Sequence, residues 1–82
     1  MYFVYLLECR DKSIYCGYTN QLVKRVETHS KGQGAKYTQR RRPVKLVYFE
    51  EFESRSDAMR REHQIKGFSR GKKLEMIKKN GI

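Results

Sequence analysis

The sequence lacks tryptophan, has one proline and two cysteines, and only 9 of its 82 residues are acidic. Its longest apolar run, Tyr2 to Leu7, is far shorter than the roughly 20 residues that span a bilayer. No basic stretch precedes the run and Glu8 ends it, which is not typical of a signal peptide. We therefore expect a cytoplasmic protein that does not insert into a membrane.

The two cysteines, Cys9 and Cys16, do not form a metal-binding pattern. They lie seven positions apart, with no Cys-x-x-Cys pair and no histidine at zinc-ligand spacing. This spacing argues against a zinc finger or a disulfide framework. We interpret both residues as buried thiols in strands.

Positive charge dominates the composition, with 19 Lys or Arg residues and a net charge of +10. Such an excess favours a polyanionic partner, most commonly nucleic acid. A membrane surface would need a longer basic amphipathic helix than residues 72–79 provide. The charge could also simply keep a domain with a lean core soluble. The length predicts one domain over residues 1–82.

The patterns of apolar residues and turn residues predict an α+β fold. The strand predicted over 2–9 contains the unbroken apolar run, which is typical of a central strand buried on both faces, and a second strand over 14–19 completes a hairpin. The predicted architecture is a three-stranded antiparallel sheet, made of this hairpin and a third strand, flanked by three helices. The third strand covers 44–52, the helices cover 21–31, 54–66 and 70–80, and 32–43 is a basic loop.

Residues with capping chemistry stand at the predicted helix ends. Asn20 or Thr19 can cap the first helix. Ser54 and Asp57 form a capping-box signature for the second, and Ser69 can cap the third. Glycine follows each helix and ends it.

Glu62 is unusual because it shares a helix face with apolar residues. Ala58, Met59 and Ile65 lie three or four positions away, so the helix directs the carboxylate along its inner face. A buried charge needs a cation opposite. Two interpretations remain open: an ion pair with an arginine, or a ligand of Mg²⁺, which often takes only one or two protein carboxylates.

Arg25 and His29 are four residues apart, on one side of the first helix. They flank its expected inner stripe, and His29 is the nearer of the two to it. A guanidinium suits a phosphate, and an imidazole can exchange a proton. Both could equally be solvated residues at the helix edge. The stripe itself consists of Leu22, Val23, Val26 and Ser30.

Tyrosines are concentrated in the hairpin, at Tyr5, Tyr15 and Tyr18. A connection with an odd number of residues puts Tyr5 and Tyr15 on the same face of the sheet, and we predict this register. The alternative role of these rings is ordinary packing with the hydroxyls at the surface.

A set of basic residues forms the expected surface for phosphate contacts, although a solvated loop would have the same composition. These residues are Lys36, Arg40, Arg41, Arg42 and Lys45, with Lys72 and Lys73 of the last helix.

The order of these residues resembles the GIY-YIG nucleases. Phe3-Val4-Tyr5 and Tyr15-Cys16-Gly17 look like the paired signature, and Arg25-x-x-x-His29 and Glu62 follow at matching places. Within that superfamily the chain is most similar to small stand-alone bacterial members, which share runs like those at 34–38 and 41–48.

The resemblance implies hydrolysis of nucleic-acid phosphodiesters with Mg²⁺ or Mn²⁺, and we expect the substrate to be DNA. It places Tyr5 and Tyr15 beside the water and the scissile phosphate, Arg25 on phosphate oxygens, and Glu62 on the metal. Tyr5 is the general base implied by the family, and His29 is a physically plausible competitor. Val4 and Gly17 belong to the structural part of the motif.

The chain departs from the family at Phe3, Cys16 and Tyr18. Relatives with known targets also carry separate DNA-binding domains, so a protein partner could supply substrate specificity. We expect a nuclease directed by DNA structure rather than by sequence. A nucleic-acid-binding module without catalysis is the alternative, followed by a structural protein of ribosomes.

Overall fold

A computed structural model describes all 82 residues and has the predicted α+β class. The strands form one antiparallel sheet in the order β2-β1-β3, so the first strand is central, as predicted. None of the helices combines the length and apolarity needed to cross a membrane. The elements are β1 (Tyr2–Glu8), β2 (Ile14–Thr19), α1 (Leu22–Ser30), α2 (Lys36–Gln39), β3 (Lys45–Phe52), α3 (Arg55–Lys66) and α4 (Arg70–Asn80).

The apolar run of β1 is unbroken because helices cover both faces of the sheet. Leu6 pairs with Cys16 on one side and Tyr48 on the other, and all three join the core under α3. Tyr5 and Leu7 alternate to the opposite face and are also buried. Because side chains alternate between the two faces of a strand, successive residues of β1 are buried against opposite helical layers.

The hairpin connection has the predicted parity. Glu8 pairs with Ile14, so five residues connect the strands. This odd number puts Tyr5 and Tyr15 on the same face. Both cysteines are buried free thiols, with Cys16 in β2 and Cys9 directly after β1.

Two of the predicted caps are present and one prediction was wrong. The Ser54 hydroxyl accepts the Asp57 N–H at 3.2 Å, and the Ser69 hydroxyl accepts the Lys72 N–H at the same distance. The N-cap of α1 is Gln21 rather than Asn20 or Thr19. The Thr19 hydroxyl instead accepts the Gln21 N–H one step before the helix, at 3.1 Å.

The interpretation of residues 32–43 as a loop missed α2, so four helices flank the sheet instead of three. A four-residue helix is too short to show an apolar period. Its one buried residue, Thr38, is polar and is held by hydrogen bonds instead.

Two predicted inner faces also need correction. In α1, Val23 is 74% exposed and Ser30 lies at the surface, whereas the buried residue is His29. In α3, Met59 is 43% exposed, and Ala58 and Ile65 are buried. The face of α1 that packs on the sheet is centred on an imidazole whose nitrogens both have partners, so a polar residue occupies the core position.

Candidate active site

Tyr5 and His29 form a buried hydrogen-bonded pair between β1 and α1. The Tyr5 side chain is almost fully buried, and its hydroxyl lies 3.0 Å from His29 Nε2. Gly17 is the residue of β2 directly opposite Tyr5. A Cβ atom on Gly17 would lie 2.5 Å from the Tyr5 hydroxyl. Glycine at this position therefore gives the hydroxyl its space.

His29 is held on its other side by the segment that includes α2. Its Nδ1 lies 2.8 Å from the Thr38 hydroxyl oxygen, and that hydroxyl donates to the Ala35 carbonyl at 2.9 Å. Gly34 lies against the ring, since a Cβ there would lie 2.8 Å from His29 Cε1. Both imidazole nitrogens are thus in hydrogen bonds within a buried site. Sequence reasoning did not single out Thr38 or Gly34, and only the shared run at 34–38 pointed to them.

Aromatic rings enclose this pair. The Tyr15 ring centroid lies 5.2 Å from that of His29 and 6.5 Å from that of Tyr5. Tyr37 continues the cluster at 5.9 Å from Tyr15. The structure therefore brings together three of the predicted site residues, Tyr5, Tyr15 and His29.

Burial keeps both members of the pair neutral near pH 7. It raises the pKa of Tyr5 to about 12; the nearby Arg25 guanidinium opposes this rise and the Tyr15 hydroxyl adds to it. Burial also lowers the pKa of His29 below its ordinary value of 6.5, and the positive charge of Arg25 lowers it further. Hence Tyr5 is a phenol and His29 is an uncharged imidazole.

Arg25 is exposed at the end of β2, where the two faces of the sheet meet. It comes from α1 on one face, while Arg55 comes from the first turn of α3 on the other. Both line a cleft of about 390 Å³. The remaining lining residues are Tyr2, Tyr18, Thr19 and Asn20.

Glu62 lies on α3, across the sheet from Tyr5. Its side chain is 17% exposed, so it points largely inward, and its carboxylate pairs with Lys66 at 3.4 Å rather than with an arginine. Its backbone carbonyl accepts a weak hydrogen bond from the Cys16 thiol at 4.0 Å. Cys16 and Gly17 are neighbours on the edge strand β2, so α3 and the Tyr5 hydroxyl pack against adjacent residues of this strand.

The carboxylate of Glu62 suits a divalent ion that takes few protein ligands. The structure groups no three acidic, histidine or cysteine side chains that could enclose a metal. A Mg²⁺ ion often keeps several waters and binds through one carboxylate and substrate phosphates. The donor chemistry therefore fits an ion completed by water and nucleic acid.

The predicted phosphate-contacting residues differ in the contacts that their side chains make within the protein. Arg41 forms an ion pair with Asp11 at 3.1 Å, donates to the Tyr37 carbonyl at 2.9 Å and stacks 3.9 Å above the Tyr37 ring. Arg42 donates to the Gln39 carbonyl at 3.1 Å. Arg41 and Arg42 thus also hold the fold together.

The other predicted basic residues are exposed except for one. Lys36, Arg40, Lys45 and Lys72 are exposed and Lys73 is half-buried. A second cleft joins Tyr37 to Lys73 and to Arg70, which sequence reasoning missed. The basic residues of α2 and of the first turn of α4 therefore flank the same tyrosine.

The whole arrangement corresponds to a known domain. Residues 1–75 match the family model of the GIY-YIG catalytic domain. The chain belongs to the GIY-YIG family. It is 57% identical to a UPF0213 protein of Staphylococcus haemolyticus, covering 93% of each chain. It is 53% identical to a UPF0213 protein of Pediococcus pentosaceus, covering 99% of this chain and 85% of that one.

Two solved structures are similar to this GIY-YIG domain. The solution NMR structure of a UPF0213 protein from Bacillus halodurans has 44% identity and a TM-score of 0.61, covering 95% of this chain and 84% of that one. An NMR structure of a protein from E. faecalis has 38% identity and a TM-score of 0.63, covering 94% and 82%. Both support the α+β assignment.

Proposed function

We propose that residues 1–82 form a catalytic domain that hydrolyses phosphodiester bonds in DNA with Mg²⁺ or Mn²⁺, selecting its target by DNA structure rather than by sequence. The observation that carries this proposal is the buried hydrogen bond between Tyr5 and His29, next to the exposed Arg25. Membership of the GIY-YIG family supports the same reaction class.

The pair can move a proton without forming a free phenolate. As water attacks phosphorus, its proton passes to the Tyr5 oxygen while the Tyr5 proton passes to His29 Nε2. Tyr5 stays neutral and His29 becomes an imidazolium. Because burial raises the pKa of Tyr5 to about 12, His29 is the better final acceptor near neutral pH. Tyr5 and His29, the two candidate general bases, thus act together in one proton relay.

Arg25 serves as the phosphate ligand in this proposal. Its exposed guanidinium can neutralise charge that develops on phosphate oxygens. The Tyr5 hydroxyl is covered in the free protein. The relay therefore requires that water reach this hydroxyl when the phosphate binds.

Glu62 would hold the metal from the other side of β2. In this proposal the phosphodiester lies beside β2, an edge strand of the sheet, and is approached from both faces. The metal would supply stabilisation of the leaving oxygen. Lys66, whose side chain is 51% exposed, can swing away from Glu62 at little cost.

The proposed binding surface extends from α2 and the residues after it to the start of β3 and the first turn of α4. Its phosphate-contacting residues are Lys36, Arg40, Arg41, Arg42, Lys45, Lys72 and Lys73. Such contacts carry no base sequence information. Any finer target selection would then come from the shape of the DNA or from a protein partner.

A nucleic-acid-binding module without catalysis is the second candidate. Two observations favour it: the Tyr5 hydroxyl is buried, and the Glu62 carboxylate is already paired with Lys66. In this case the catalytic residues would serve only the fold, and the basic surface would remain active.

Cleavage assays can separate the two candidates. Single-stranded, duplex, flap and bubble DNA are incubated with Mg²⁺, with Mn²⁺ and with a chelator. The variant is Glu62→Gln, and Glu75→Gln is its matched control because Glu75 also pairs with a lysine four residues later, at 3.1 Å. Metal-dependent cuts that are lost only in Glu62→Gln support the nuclease. Salt-sensitive binding without cuts supports the module.

A further inference from the structure

We infer that Thr38 is a positioning residue that fixes the tautomer of His29, so that Nε2 is free to take the proton of Tyr5. This inference rests on the proposed function for its catalytic consequence. The hydrogen-bond geometry on which it depends is independent of any activity.

The Thr38 hydroxyl has one proton, and its direction settles the network. The Ala35 carbonyl oxygen can only accept, and the Thr38 hydroxyl donates to it at 2.9 Å. At 2.8 Å from His29 Nδ1, the Thr38 oxygen must then be the acceptor, which requires a proton on Nδ1. A neutral imidazole has a single N–H, so Nε2 is bare and accepts the Tyr5 hydroxyl at 3.0 Å.

The opposite tautomer leaves a buried polar group without a hydrogen-bond partner. If Nε2 carried the proton, it would donate to the Tyr5 oxygen, and the Thr38 hydroxyl would have to turn from Ala35 toward Nδ1. The Tyr5 proton would then have no acceptor, because the Tyr5 hydroxyl has no hydrogen-bond partner in the protein other than His29. Buried polar groups in native proteins are almost always paired, which favours the first arrangement.

The segment from Gly34 to Thr38 provides this arrangement as one unit. Gly34 has no side chain to collide with the imidazole, Ala35 supplies the carbonyl, and Thr38 supplies the hydroxyl. Backbone hydrogen bonds from the Thr38 and Gln39 N–H groups to the same Ala35 carbonyl, at 3.1 and 3.2 Å, close the turn of α2. A short helix thus holds the acceptor at a defined distance from α1.

The tautomer determines the direction of proton transfer. With Nδ1 protonated, the relay runs from water through Tyr5 to His29. With Nε2 protonated, His29 is a donor to Tyr5 and cannot remove its proton. Losing Thr38 should therefore impair the chemical step while leaving the phosphate contacts in place.

The test uses two substitutions and a matched control. Thr38→Val keeps the shape and removes the hydroxyl, and Thr38→Ser restores it. Thr28→Val is the control, since the Thr28 hydroxyl also bonds a backbone carbonyl, that of Lys24 at 2.9 Å, but forms no hydrogen bond with the His29 imidazole. Long-range ¹H–¹⁵N NMR spectra of the full chain report which imidazole nitrogen of His29 carries the proton.

We expect the wild type, Thr38→Ser and Thr28→Val to show a protonated Nδ1, and Thr38→Val to show a population with protonated Nε2. Cleavage by Thr38→Val should fall on the order of 10- to 100-fold in the rate at saturating DNA. Its pH profile should rise into the alkaline range instead of reaching a plateau. Charged and titratable groups facing His29 are Tyr5 of β1, Tyr15 of β2 and Arg25 of its own helix, and all are unchanged in these variants.

The experiment tests the role of Thr38 separately from the proposed nuclease function. A wild type with protonated Nε2, or a Thr38→Val variant with unchanged spectrum, rate and pH profile, overturns the role of Thr38. A wild type that cleaves no DNA overturns the proposed function. In that case the NMR comparison still decides the role of Thr38.

Discussion

The Glu62 backbone carbonyl lies 4.0 Å from the Cys16 thiol, and the next residue of β2, Gly17, covers the Tyr5 hydroxyl. Residues from opposite faces of the sheet thus approach two adjacent positions of one edge strand. In the proposed function, a phosphate bound near this strand would be approached by groups from both faces of the sheet.

Filling the space at Gly17 should disturb Tyr5. In Gly17→Ala, the new Cβ would lie 2.5 Å from the Tyr5 hydroxyl, so the ring must shift. Overpacking of this kind costs about 1–3 kcal/mol of unfolding free energy. Urea denaturation measures it. Gly71→Ala is the control, because the nearest atom to its new Cβ is 4.0 Å away and alanine favours the helix. An equal loss in both variants would contradict the close-packing argument.

The rate of DNA cleavage should be independent of pH above the ordinary histidine range. The relay needs neutral His29, whose pKa is lowered by burial and by Arg25. Activity should therefore fall only on acidification below about pH 6.5, when His29 becomes protonated. Single-turnover rates from pH 5 to 9 test this. A rate that climbs steadily to pH 9 would indicate a tyrosinate base instead of the relay.

Protein stability should decrease on acidification through the same group. The folded state holds His29 below its unfolded pKa, so the unfolded chain binds more protons as the pH falls below about 6.5. Unfolding free energies at pH 7.5 and pH 5 should differ in the wild type and differ less in His29→Gln. His63→Gln is the control because His63 is exposed on α3. A pH dependence unchanged in His29→Gln would exclude His29 as its source.

Arg40 and Arg41 should respond differently to removal. Arg40→Ala should weaken binding to all DNA sequences alike and reduce the salt dependence, by about 0.9 in the slope of log affinity against log salt for a lost phosphate contact. Arg41→Ala should chiefly destabilise the fold, because Arg41 bonds Asp11 and covers Tyr37. Fluorescence anisotropy at several salt concentrations, with thermal melts of each variant, separates the effects. An Arg40→Ala loss confined to one sequence would contradict a backbone contact.

Strong local patterns made the sheet and the longer helices predictable. The apolar run of β1 and the Ser54 and Ser69 caps each specify an element within a few residues of sequence. The odd connection correctly predicted that Tyr5 and Tyr15 share a face.

The environment of His29 could not be predicted in the same way. Its partners come from β1 and α2, far apart in sequence, and burial of an imidazole depends on those tertiary hydrogen bonds rather than on a local period. For the same reason, the prediction that Val23 and Ser30 lie on the buried face of α1 is wrong. No sequence pattern indicated Thr38, because its contact with His29 forms only when α2 packs against α1.

The position of β2 at the edge of the sheet affects whether two copies of this protein associate. Exposed backbone N–H and C=O groups of an edge strand can recruit the same strand of another molecule. Arg25 and Arg55 stand at one end of β2, and Arg70 and Lys73 stand at the other. Mutual repulsion between these cations discourages two copies from joining their sheets through this strand.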